Sequence, residues 1–422
     1  MRSAAGSNQR PFCRRPGTQA AGEARELWSI RRFMKQVESA LAVNRRRKAM
    51  KKSKIRNGIK ISLCVFLAAA VVILGVLFFP LTGKEHTEVW SAGQAFEPEG
   101  LQTVEKTGSK FKILLFTDTQ IWSNPADNKA CYEEMDRLVE ENRPDMIVTM
   151  GDNLSAFASR FSIQTFIEKM DSYQIPWAPV FGNHDNEIPT ISLNWQGDQF
   201  MKSEHCLFRK GPSNLYGCGN YAVNVTENGV PVYTLFLFDN GRYTAYDTGV
   251  NKEVYMGYEQ IAWYEWTVKG IQAAAGRTVP SMAFSHFAQP EFTEAVALYG
   301  VKDDRGGYTI PAEYGFGYCA YLPGSAPVKS GFFDACKALG STKYLFCGHD
   351  HENNACVTYE GMTMAYGLKT GPSPDPWNHA VEMGGTVVEI SGEGAKQTVS
   401  VTHVVTTRES TQHTKGTAPE NA

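Results

Sequence analysis

Trp177-Ala178-Pro179-Val180-Phe181-Gly182-Asn183-His184-Asp185 is the stretch on which the reading of this chain turns. Its first five residues are apolar and read as a short buried strand. An amide, an imidazole and a carboxylate then follow the glycine in consecutive positions. A strand that ends this way delivers polar side chains to the rim of a sheet, where sites are usually built. Four other segments have the same design. Ile113–Thr117 runs into Asp118-Thr119-Gln120, and Met146–Met150 into Gly151-Asp152-Asn153. Met282–Ser285 runs into His286, and Tyr344–Cys347 into Gly348-His349-Asp350-His351.

The spacing around these strands predicts an α/β domain with a largely parallel core. Helices are expected over about Lys129–Asn142, Ala158–Tyr173, Tyr258–Ala275 and Ser330–Leu339. The two runs Tyr221–Val225 and Val232–Phe238 flank Glu227-Asn228-Gly229 and read as a hairpin. Residues 290–325, rich in Gly, Tyr and Pro, have no clear period and read as an irregular, substrate-facing segment. Within it, Tyr308, Tyr314, Tyr318 and Tyr321 are placed to shape a pocket.

Charge is unevenly distributed over the 422 residues. Residues 1–60 carry 17 Lys+Arg against 3 Asp+Glu, which leaves 25 basic and 41 acidic residues in the rest. So acidic a body argues against nucleic acid as the main partner. Residues 61–81, ISLCVFLAAAVVILGVLFFPL, are uncharged and long enough to cross a bilayer core of ~30 Å as a helix. Arg45, Arg46, Arg47, Lys48, Lys51, Lys52, Lys54, Arg56 and Lys60 all precede this run. The charge bias therefore places the N-terminus in the cytoplasm and the body outside. An uncleaved signal anchor is favoured over a cleaved signal peptide, because the run is long and lacks a small-residue cleavage site. Met50, followed by Lys51-Lys52-Ser53-Lys54, has the form of a start for a membrane-targeted chain. The expected organisation is a basic, mostly disordered segment 1–60 with a short helix near Ala24–Ala42, the anchor 61–81 and a linker or loose first strand over 82–109. The domain 110–405 and a disordered tail 406–422 complete it. None of the nine Cys forms a C-x-x-C pair, so they read as buried small hydrophobes rather than a metal ribbon.

Taken together, Asp118, Gln120, Asp152, Asn183, His286, His349 and His351 are carboxylates, amides and imidazoles. That donor set suits Zn²⁺, Mn²⁺ or Fe. It is too large for one tetrahedral ion and large enough for two ions about 3.5–4 Å apart sharing Asp152. Singly, Asp118 or Asp152 would more often cap a helix or turn, and His286 would more often be a satisfied core histidine. His86, His205, His379 and His403 fall outside the pattern.

In this order the blocks D-x-Q, G-D, G-N-H-D, a lone His and G-H-x-H resemble the calcineurin-like metallophosphoesterases, which include the purple acid phosphatases. The resemblance covers about residues 110–392 and extends to Gln260-Ile261-Ala262-Trp263. It implies an αββα sandwich of two mixed sheets flanked by helices, with metals at strand C-terminal ends, here preceded by one transmembrane helix. One ion would take Asp118, Gln120, Asp152 and His351; the other Asp152, Asn183, His286 and His349. The implied reaction is hydrolysis of a phosphate mono- or diester by a metal-bridging hydroxide. His184 would face the leaving-group oxygen without ligating, and Asp185 would orient His184 by accepting its other ring proton. Two departures stand out. Gln120 replaces the usual His, and an amide oxygen is the weaker, harder ligand, favouring Mn²⁺ or Fe²⁺. Ser155 occupies the place of the purple members' metal-bound Tyr, so no purple chromophore is expected. The competing expectations are a surface protein that keeps the fold as a binding module after losing activity, and a structural metal-binding adhesion module.

Overall fold

The computed structural model describes residues 19–122, 124–155, 159–187, 190–241, 256–325, 329–371, 382–406 and 411–414. Its contacts divide the chain into two compact units, Met1–Phe79 and Pro80–Ala422.

In the first unit, helix α1 runs unbroken over Gln19–Phe78. The sequence reading of a mostly disordered segment to residue 60 is corrected for residues 19–60, while residues 1–18 lie outside the described set. The physical reason is propensity: Ala, Glu, Arg, Lys, Gln and Leu dominate this segment, and no proline interrupts it. Its C-terminal part is long and apolar enough to cross a membrane. Ile61, Val65, Phe66 and Val71 are all exposed, so the apolar surface is not confined to one face.

In the second unit the elements run β1 (Gln102–Glu105), β2 (Lys110–Phe116), α2 (Pro125–Asn142), β3 (Met146–Met150), α3 (Ser159–Ser172) and β4 (Trp177–Val180). Next come α4 (Leu193–Phe200), β5 (Tyr221–Glu227), β6 (Val230–Leu237), α5 (Tyr258–Ala275), β7 (Ser281–Phe284) and α6 (Pro290–Tyr299). Four short strands follow: β8 (Val301–Lys302), β9 (Tyr308–Thr309), β10 (Gly315–Phe316) and β11 (Tyr318–Cys319). The unit closes with α7 (Phe332–Leu339), β12 (Thr342–Cys347), β13 (Cys356–Tyr359), β14 (Met362–Tyr366), β15 (Met383–Glu393), β16 (Lys396–Thr406) and β17 (Thr411–Thr414).

Two mixed sheets dominate. One has the order β17-β16-β15-β2-β3-β4, and the other β1-β5-β6-β7-β12-β14-β13-β10. Side-chain alternation explains why the second sheet is covered on both faces. Leu235, Leu237, Phe284 and Phe346 join Ile113, Val148 and Val388 of the first sheet, with Met135 of α2 and Phe166 of α3, in one apolar cluster. Their sequence neighbours Phe236, Phe238, Ala283 and Leu345 join Tyr264, Val268, Phe292 and Phe332 of α5, α6 and α7 in another. Each large side chain buried this way stabilises the fold by roughly 1.5–3 kcal/mol. The layering is the expected αββα sandwich. The seven Cys of this unit are buried and free, as read.

The Asn228-Gly229 hairpin forms as expected, with both residues at positive φ joining antiparallel β5 and β6. Of the two readings of segment 82–109, the first strand forms: β1 pairs with β5, and Trp90 and Phe96 pack edge-on against Trp266. Two expectations need correction. Residues 290–325 are not irregular throughout. Pro290 opens α6, whose Phe292, Ala295 and Val296 recur at helical spacing and are buried, and β8, β9 and β11 form a small sheet. Within the polar tail, β17 pairs with β16. Residues 407–410 and 415–422 lie outside the described set.

Candidate metal centre

The site residues sit just past the C-terminal ends of five strands. β2, β3 and β4 are parallel neighbours in one sheet, and β7 and β12 are parallel neighbours in the other. Asp118, Asp152 and Asn183 follow the first three, and His286, His349 and His351 the other two. The turns that aim them are tight. Asp118, Gln120, Asp152 and His349 have φ of 53°, 44°, 48° and 73°, a region that non-glycine residues avoid. Such strain costs on the order of 1–3 kcal/mol per residue and persists only where the surroundings hold it. Here they do. Gln120 N donates to Asp152 O (2.9 Å) and Asp118 N to Gly151 O (3.2 Å). The Asp118 carboxylate accepts from Thr117 Oγ1 (2.6 Å) and His349 N (3.2 Å), and that of Asp152 from His184 N (2.8 Å). Gly182 has to be glycine, because a Cβ there would collide with the Asp152 carboxylate.

Two groups of ligand-type atoms converge, each within 4.8 Å: Asp152, His286 and His349, and Asp118, Asp152 and His351. Asp152 belongs to both. The donor chemistry fits cations. His286 Nδ1 lies 2.9 Å from Met150 O, which only accepts, so Nδ1 carries a proton. Nε2 faces Asn183 Oδ1 at 3.2 Å and Asp152 Oδ2 at 3.3 Å. In the metal-free protein a proton on Nε2 fills this position; a divalent cation would displace it and meet three donors, the ring lone pair among them. Burial works against a charged His286, but the Asp152 carboxylate outweighs it and lifts the imidazole to about 10. Burial lowers His349 to about 4 and keeps it neutral. Burial alone would raise the Asp152 carboxyl, but His286 and His184 pull it to about 2. Asp118 is likewise held low, against burial, mainly by His351, whose Nε2 is 3.2 Å from Asp118 Oδ1.

Gln120 reaches the centre but turns its oxygen away. Buried Lys369 donates to Gln120 Oε1 (3.0 Å) and to Asp118 O (3.0 Å). The amide nitrogen is the atom that faces His351 Nε2, at 3.5 Å. The expected amide-oxygen ligand is therefore not presented.

His184 lies outside both ligand groups, with its Nε2 3.8 Å from Asp152 Oδ2. Its Nδ1 pairs with Glu187, not with Asp185. Burial disfavours the imidazolium, but Asp152 and Glu187 lift it to about 9. Asp185 has another task. Its carboxylate accepts from Gly182 N (2.8 Å) and Leu154 N (3.0 Å), tying the Asp152 and Asn183 turns together. Burial, with Asp152 nearby, raises that carboxyl to about 7.

Two supports went unread in the sequence. Asn240, past β6, clasps the His286 turn through Phe287 O (2.9 Å) and Phe287 N (3.1 Å). Its signal was available, since Phe238-Asp239-Asn240 is another apolar run ending in polar residues. Asp350, between the two histidines, accepts from Tyr366 Oη (2.5 Å) and Gly324 N (2.7 Å), fixing the loop that carries Tyr321. Of the four tyrosines expected at a pocket, Tyr321 stays exposed beside this loop. Tyr314 stacks on Tyr299, Tyr318 bonds Asp303, and Tyr308 pairs within the small sheet.

The conserved pattern of the calcineurin-like phosphoesterases matches residues 111–353, more than half of the chain, and the chain belongs to that family. Among individual proteins it is similar to probable inactive purple acid phosphatase 14 of Arabidopsis thaliana, at 27% identity over 297 residues, 62% of this chain and 70% of that protein. It is also similar to phosphatase DCR2 of Saccharomyces cerevisiae, at 27% identity over 290 residues, 61% of this chain and 47% of that protein. A solved dimetal phosphatase from Danio rerio superposes with a TM-score of 0.42 at 14% identity, over 68% of this chain and 98% of that one.

Proposed function

We propose that Pro80–Ala422 is the body of a metal-dependent phosphoesterase that hydrolyses phosphate mono- or diesters, anchored to a membrane by α1 with this body on the extracytoplasmic side. The observation that carries the reading is the convergence, at four strand ends, of two ligand groups sharing Asp152, with Asn183 from a fifth beside them and His184 outside both. Asp152, Asn183, His286 and His349 would hold one divalent ion, and Asp118, Asp152 and His351 another. Such ions, when bound, lower the pKa of a shared water and offset phosphate charge. The chain's own residues do the rest. Glu187 fixes the ring of His184 through Nδ1, leaving Nε2 for the leaving-group oxygen. Asp185 holds the turn on which His184 stands. The nine basic residues within 45–60 support the orientation of α1.

One observation favours a second reading, in which the fold persists as a binding module without turnover: the Gln120 oxygen is engaged by Lys369. The separating experiment uses the full chain purified in detergent, stripped of metal and reloaded with Mn²⁺, Fe²⁺ or Zn²⁺. It is assayed on p-nitrophenyl phosphate and bis-p-nitrophenyl phosphate. Metal-restored hydrolysis of either ester is the expected result. Bound metal without hydrolysis of any phosphate ester would favour the binding module, and failure to bind metal would sink the phosphoesterase reading.

A further inference from the structure

Lys369 stands three residues beyond β14 and is 2% exposed. A lysine ammonium only donates hydrogen bonds, so its 3.0 Å contact to Gln120 fixes which way that amide points. The oxygen faces Lys369 and the NH₂ group faces His351 Nε2 at 3.5 Å. Turning the amide over would set NH₂ against the ammonium. The same ammonium also bonds the Asp118 carbonyl, so it is held on two points beside the Asp118 carboxylate. A buried cation this close repels a second one, and the interior screens that repulsion poorly. The two halves of the centre are therefore unequal. One offers four donors, Asp152, Asn183, His286 and His349; the other offers three, Asp118, Asp152 and His351, next to a fixed positive charge.

We infer that Lys369 and Gln120 together set the metal stoichiometry of this protein. The Asp152–Asn183–His286–His349 position binds its ion tightly, and the Asp118–His351 position binds a second ion at least ten-fold more weakly. Lys369 is a specificity-determining residue that acts through Gln120, and it touches neither ion. This inference rests on the dinuclear reading of the site.

The test is a titration of the metal-stripped full chain in detergent with Mn²⁺ and separately with Zn²⁺, following bound metal by equilibrium dialysis and elemental analysis. The wild-type protein should bind one equivalent tightly and a second at least ten-fold more weakly. Gln120→His restores a ring nitrogen at the weak position and should raise its affinity by roughly 10–100-fold. Lys369→Met removes the charge and frees the amide, and should raise it in the same direction. Circular dichroism checks that each variant folds, and Gln120→His carries the test if Lys369→Met does not. Two equivalents of equal affinity in the wild type would overturn the inference and leave the phosphoesterase reading standing. So would Gln120→His with an unchanged weak position. No tight equivalent in the wild type would overturn both.

Discussion

Around Asp152 the centre has two sides, and they are built from the same kind of strand-end turn. On one side Asn183 Oδ1 and His286 Nε2 lie 3.2 Å apart with Asp152 Oδ2 at 3.3 Å from the imidazole, and each can offer a lone pair once a cation displaces the ring's Nε2 proton. On the other, Asp118 Oδ1 and His351 Nε2 lie 3.2 Å apart, but the third group, Gln120, presents an NH₂. The difference originates outside the turn, in a lysine 249 residues away in sequence. Backbone geometry sets where a donor stands; the neighbour behind it decides which atom it offers.

Removing the residue both sides share should have the broadest effect. Asp152→Asn should cut metal affinity at both positions, by more than the roughly 10–100-fold that loss of an outer hydrogen-bond partner costs. Equilibrium dialysis would read it, and loss confined to one position would show that Asp152 does not bridge. Next in size, His184→Ala should lower kcat by about 10²–10⁴-fold while bound metal stays unchanged. A parallel loss of metal would make His184 a ligand instead. Glu187→Gln should have a smaller effect of the same kind, roughly ten-fold in kcat with metal content intact. An Asp185 variant, by contrast, should lower thermal stability, because Asp185 ties two turns together.

The stability of the metal-free protein should also depend on pH. His286 is raised to about 10 and His184 to about 9 in the fold, above the ordinary value of 6.5. Their stabilisation is therefore complete below pH ~6.5 and lost as pH rises through these values. His349 is lowered to about 4, so it disfavours the fold as pH falls below ~6.5. Tm of the metal-free chain should peak near pH 6.5 and decline towards pH 10. Metal on His286 replaces its proton, so the loaded protein should lose most of that alkaline decline, and loading at pH 8 should release protons. An identical alkaline decline with and without metal would contradict the placement of His286 at the centre.

Much of this was legible because it is written in local pattern. Five apolar runs that end in Asp, Asn or His sit at the five strand ends, and the alternation of Leu235, Phe236 and Leu237 between two cores follows from strand geometry. What stayed hidden is of two kinds. Lys369 lies three residues beyond β14 in a stretch with no motif of its own, and nothing local signals its partner across the fold. Glu187 lay in plain view, but adjacency favoured Asp185. In the 3₁₀ turn His184–Asn186, neighbours diverge while side chains at i and i+3 align, which brings Glu187 to the ring. The α6 helix was masked by the Gly- and Tyr-rich composition of the residues after it.

Anomalous scattering from crystals of the full chain equilibrated with limiting Mn²⁺ would locate each ion. A single strong peak among Asp152, Asn183, His286 and His349, with a second beside Asp118 and His351 only at higher Mn²⁺, is the predicted result. Two equal peaks at limiting metal, or a first peak beside Asp118 and His351, would contradict the account.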